Sequence, residues 1–144
     1  MNSHHIVDSV GTLLAIHLYG EADPGIKFFT ENDQPFQLAV MRHQRSTEIQ
    51  AHIHKRIERK VDTTSEVLVM TKGAVQVDFY DSSRCFVSSR KLYKGEALLI
   101  LSGGHGFRML EDSEWFYVKQ GPYAGDAEHD KTHFGSFISL DEVL

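Results

Sequence analysis

The stretch Thr47 to His54, Thr-Glu-Ile-Gln-Ala-His-Ile-His, carries the residues best suited to chemistry. Ile49, Ala51 and Ile53 share one parity and Gln50, His52 and His54 the other, which is the alternation of a β-strand with two unlike faces. Residues two apart on a strand lie on one side, with Cα atoms about 6.5 Å apart. Two imidazoles held so can reach one metal ion, at bond lengths of ~2.0–2.2 Å. Glu66 supplies a carboxylate and His105, in a glycine-rich turn, a further imidazole. Three neutral nitrogens and one anionic oxygen equip a mononuclear transition-metal site. The competing reading is a His-x-His pair that faces water, since nine histidines in 144 residues make close pairs common.

The elements expected to position these residues are short. Gly11–Tyr19 reads as a buried strand or a short helix, broken at Gly20–Gly25, where Pro-Gly marks a turn. Ile26–Thr30 and Phe36–His43 read as strands, the second leading through Gln44-Arg45-Ser46 into the histidine strand. The charged run 55–64 has no clean period and reads as a loop at the mouth of the site. Glu66–Met70 and Ala74–Tyr80 form a hairpin about Thr71-Lys72-Gly73. Cys85–Leu92, Ala97–Leu101, Phe107–Leu110 and Trp115–Gln120 follow, with the tight bend Ser102–Gly106 calling for glycine. Short strands at such spacing predict an all-β sandwich or barrel. The tail 121–144 is more polar, and Ser139–Leu144 could form a terminal helix.

Bulk properties narrow the class. The length fits one domain, 1–144, able to bury a core without staples. Twenty acidic against 15 basic residues, net −5, argue against a nucleic-acid partner. The single cysteine, Cys85, cannot form an internal disulfide and fits a reducing compartment. Neither a secretory signal nor an apolar run of ~18 residues is legible, so the expectation is a cytoplasmic protein off the membrane.

Two motifs together resemble the cupin superfamily of small β-barrels. In the first, His52-x-His54 precedes Glu66, which six residues separate from Gly73. Ser46 replaces the leading glycine, and eleven residues rather than three or four separate His54 from Glu66. Glu58 sits at the family's usual interval and is a competing ligand; Glu66 is favoured because it opens an apolar strand. In the second motif, Gly95 is followed by Leu101-Ser102-Gly103-Gly104-His105, with Leu101 in place of proline and Met109 where the family has asparagine.

The resemblance implies a single cupin-type barrel, a double-stranded β-helix or jelly roll with little helix. Its N-terminal strands would run from about 6 to 43 and its barrel core from about 46 to 120, before the polar tail 121–144. It also implies one divalent transition metal ion (Fe, Mn, Ni, Co or Zn) held by His52, His54, Glu66 and His105. The phrasing from Thr64 to Gly121 is similar to small bacterial cupins of unassigned activity, often linked to surface-polysaccharide biosynthesis. An open metal position would allow isomerisation, epimerisation, hydrolysis or oxygenation of a small polar or sugar-derived molecule. The alternatives are a ligand-binding or regulatory module without chemistry, and a metal-free nucleotide-sugar epimerase or ketoisomerase with a His base and a Tyr acid.

Candidate substrate contacts are Gln50, on the parity of the histidine pair, and Arg56, Arg59 and Lys60, whose charges suit a phosphate. Arg42 on the preceding strand, Arg108 and Tyr123 complete the set. The competing reading for the basic residues is a solvated loop. Cupins commonly dimerise through barrel edges and terminal arms, so a homodimer is expected.

Overall fold

The computed structural model describes residues 1–123 and 131–135. Among them every regular element is a strand: β1 (Asn2–Val7), β2 (Leu13–Tyr19), β3 (Gly25–Phe28), β4 (Ala39–Arg42), β5 (Glu66–Lys72), β6 (Ala74–Tyr80), β7 (Phe86–Tyr93), β8 (Ala97–Ile100), β9 (Gly104–Met109) and β10 (Glu114–Lys119). They form an all-β arrangement of antiparallel sheets, ordered β1-β2-β8-β5-β10, β7-β6-β9 and β3-β4. No described helix is long and apolar enough to cross a membrane.

The period-two pattern sorts the side chains. In the five-stranded sheet Leu68 and Met70 share a face with Leu98 and Ile100. These residues pack with Val75, Val77, Phe79 and Leu92 of the three-stranded sheet in one buried cluster. Each is at most 2% exposed, so each side chain contributes ~1.5–3 kcal/mol of transfer free energy. The other face of the large sheet, through Ile16, Leu18, Val67 and Leu99, packs against Phe29, Phe36, Leu38 and Val40 around the β3–β4 hairpin. Gly73 turns β5 into β6 at φ +74°, and a Cβ there would collide with the Asp112 carbonyl.

Several boundaries differ from the pattern-based reading. β1 was not anticipated, because only Ile6 among Asn-Ser-His-His-Ile-Val is buried. The strand expected over Phe36–His43 shrinks to Ala39–Arg42. His105 lies on β9 itself, one residue into the strand, and not in the preceding turn. The strand expected over Thr47–His54 does not form: the chain between β4 and β5 has no helix or strand and is exposed throughout 41–64. Alternation makes a strand only where a neighbour takes its hydrogen bonds and its apolar face is covered. Here Ile49 is 59% and Ile53 90% exposed. The expected terminal helix, Ser139–Leu144, lies outside the described residues.

Candidate functional site

Glu66 opens β5 and His105 stands near the start of β9, so the two come from different sheets. Register fixes their directions. Glu66 pairs with Ile100 and Lys119, placing its side chain on the same face as Leu68 and Met70. His105 pairs with Phe79, on the core-facing side of the small sheet. Their side chains meet across the interior, His105 Nε2 lying 3.0 Å from Glu66 Oε2. The Glu66 side chain is 6% exposed and that of His105 25%.

Burial alone would raise the Glu66 carboxyl. Hydrogen bonds from His105 and Tyr117, with the charges of His105 and Lys131, outweigh it and hold the carboxyl below its ordinary value. The reciprocal effect appears at Tyr117, where desolvation, and then the bond and charge of Glu66, raise the phenol far above its usual range. Glu66 is thus a carboxylate near neutral pH and Tyr117 a neutral phenol. Because a carboxylate only accepts, the imidazole donates through Nε2–H, and in its neutral form the lone pair is on Nδ1. That Nδ1 is buried and has no hydrogen-bond partner.

The pair borders open space. A cavity of about 530 Å³ is lined by Glu66, His105, Phe107, Lys119, Lys131 and Phe134, with Arg84 and Asp81 at its edge. A second, of about 280 Å³, touches His105, Tyr80, His133 and Phe134. Volumes of ~300–1,000 Å³ suit small-molecule sites. Phe107 stacks with Trp115 at 6.2 Å between centroids, giving the larger cavity an aromatic wall.

Of the four expected metal ligands, Glu66 and His105 are brought together. His52 and His54 lie on the irregular exposed segment, ring centroids 5.2 Å apart, with His52 Nδ1 3.0 Å from the Gln50 carbonyl. The side-by-side strand geometry that would aim them at one ion is absent. Among the described residues no three His, Cys, Asp or Glu side chains stand close enough to hold a metal. As placed, the donor set does not fit a four-ligand ion. The rival carboxylate Glu58 is on the same exposed segment.

The expected substrate contacts also lie elsewhere. Gln50, Arg56, Arg59 and Lys60 are exposed on that segment, and Arg59 Nη1 reaches only the Ile57 carbonyl, at 3.5 Å. Arg42 donates to the Ala22 carbonyl at 2.9 Å. Arg108 pairs with Gln76, which puts it on the face of β9 opposite His105. Tyr123 is 73% exposed beneath the Lys119 ammonium, 5.9 Å from its ring centroid. The cavity is instead lined by Arg84, Lys119, Lys131, His133 and Phe134, none of which stood out in the sequence. Lys119 comes beside Glu66 through the pairing of β10 with β5, which the sequence pattern does not mark.

Fold and site together define an all-β protein with a ligand-sized cavity at a buried carboxylate–imidazole pair. No protein-family model, curated protein or solved structure matches the chain.

Proposed function

We propose that the cavity at Glu66 and His105 binds a small polar molecule and moves a proton on it. The observation that carries this reading is the 3.0 Å contact between Glu66 Oε2 and His105 Nε2, made at the wall of a cavity of about 530 Å³. Glu66 orients the imidazole and stabilises the cation formed when Nδ1 takes a proton, the usual division of labour between a carboxylate and a histidine base. Tyr117 holds the far side of Glu66 and remains a neutral donor. The reaction class is isomerisation or epimerisation at a carbon acidified by a neighbouring carbonyl. A sugar derivative has the size and polarity for the cavity.

The test is exchange of carbon-bound hydrogen in D2O across a panel of sugar phosphates and uronates, followed by NMR. Exchange by the protein and its loss in His105→Ala support the reading. Exchange at an undiminished rate in His105→Ala overturns it. Saturable binding without any exchange favours the alternative, a non-catalytic ligand-binding or regulatory module.

A second reading keeps the cupin resemblance whole: a jelly-roll barrel binding one divalent transition metal through His52, His54, Glu66 and His105. Its support is that two of these four donors already adjoin. It requires the segment 47–54 to fold over the cavity, and no proton transfer above is routed through an ion. Metal content of protein purified without chelator, compared with His52→Ala, tests it; equal metal in both defeats it. A cytoplasmic homodimer with ~1,200–2,000 Å² of buried interface completes this reading, with polysaccharide biosynthesis as its setting.

A further inference from the structure

The turn between β6 and β7 has a feature that chain reversal does not require. Asp81 Oδ1 accepts hydrogen bonds from the Ser83 and Cys85 amides, each 2.9 Å, and these already close the turn. Arg84 sits inside it at φ +68°, in the left-handed region that glycine or asparagine occupies with least strain. A long side chain gains nothing there as a backbone element. Its guanidinium instead lies 5.6 Å from the centroid of the Phe134 ring, at the wall of the larger cavity.

The charge around that wall is uneven. Arg84, Lys119 and Lys131 line it together with two imidazoles, His105 and His133. The two carboxylates among the described lining residues both accept hydrogen bonds within the protein. Glu66 accepts from His105 and Tyr117, and Asp81 accepts from its own turn amides. Three cations against two carboxylates leave the described part of the wall net cationic, beside the face of an aromatic ring. A guanidinium with a nearby ammonium is the pairing that holds a phosphate or a carboxylate. The ring offers an apolar plane to the carbon skeleton that bears it.

We infer that the molecule bound in this cavity carries an anionic group, a phosphate or a carboxylate, received by Arg84 with Lys131 while its carbon skeleton lies against Phe134. The inference rests on the cavity being the binding site, and it names the ligand class without depending on proton transfer.

Calorimetric titration of the full chain with glucose 1-phosphate, glucuronate and glucose tests it, the first two separating a phosphate ester from a carboxylate. At least one anion should bind about tenfold more tightly than glucose, a preference set by one charge-assisted contact. Arg84→Gly should abolish that preference while melting at or above the wild-type temperature, because glycine relieves the left-handed backbone. A purely structural arginine would show no such division between binding and stability. Equal binding of glucose and both anions, no saturable binding of any of the three, or an undiminished preference in Arg84→Gly overturns the inference. His105→Ala separates the two readings. An anion preference that survives in it, with no hydrogen exchange even in the wild type, supports the ligand class and defeats the acid–base role.

Discussion

Among its described residues the protein holds two carboxylate–imidazole pairs of nearly equal length, and they sit in unlike surroundings. His17 Nε2 lies 2.8 Å from Glu96 Oε2, and His105 Nε2 lies 3.0 Å from Glu66 Oε2. The first joins β2 to the turn between β7 and β8. There Glu96 Oε2 also accepts the Tyr93 amide at 3.1 Å, and the Glu96 carbonyl accepts the Met70 amide at 2.9 Å. Its carboxylate is spent on closing a hairpin, and neither cavity reaches it. The second pair joins two sheets, keeps an unpartnered Nδ1 and borders the larger cavity, with His105 also lining the smaller one. The same two functional groups thus form a brace in one place and, on the function proposed, a reagent in the other. Adjoining space and unspent hydrogen-bonding capacity make the difference.

The largest separation between the pairs should appear in turnover. His105→Ala is expected to lower the exchange rate by ~10²–10⁴-fold, the usual worth of a positioned base, and to cost about 1–3 kcal/mol of stability by leaving the Glu66 carboxylate short of a partner. His17→Ala should show the loss of stability alone. It should cost about 1–3 kcal/mol of stability by leaving the Glu96 carboxylate short of a partner, read from denaturant midpoints, with the rate per folded molecule unchanged. A rate loss in His17→Ala as large as that in His105→Ala would erase the distinction.

A smaller effect is the acid limb of stability. The Glu66 carboxyl titrates below its ordinary value of 4.5 in the folded protein. Its contribution is therefore present above that value and is lost as pH falls through the folded one. Glu66→Gln should flatten this part of the stability–pH curve, which unfolding at a series of pH values measures. The smallest effect is at Tyr117, whose phenol is held protonated in the fold and is 47% exposed. Its contribution is present below the ordinary tyrosine range and falls away as pH rises past it. Tyr117→Phe should change stability by about 0.5 kcal/mol near neutrality and raise the Glu66 carboxyl toward its ordinary value.

How much of this was legible depends on where burial and alternation agree. From Glu66 to Lys119 the strands follow the sequence pattern closely. There the apolar positions face a real core, and Gly73 and Gly95 stand at turns with positive φ. Glu66 was singled out because it opens an apolar strand and His105 because it follows a glycine-rich turn, and the fold brings the two together. The segment 47–54 has equally good alternation but no neighbouring strand, so its pattern overstated its structure. His17 escaped notice inside the apolar run of β2, where only the fold reveals Glu96 beside it. Arg84 and Lys131 reach the cavity from turns and irregular chain, and no period in the sequence marks such positions.

The pairs can be compared in a single experiment: histidine side-chain ¹⁵N spectra recorded during a titration with glucose 1-phosphate. Binding at the cavity predicts that the His105 nitrogens shift saturably, with Nδ1 the unprotonated nitrogen in the free protein, while the His17 signals stay in place. Shifts at His17 with none at His105, or an Nδ1-protonated His105 in the free protein, would contradict it.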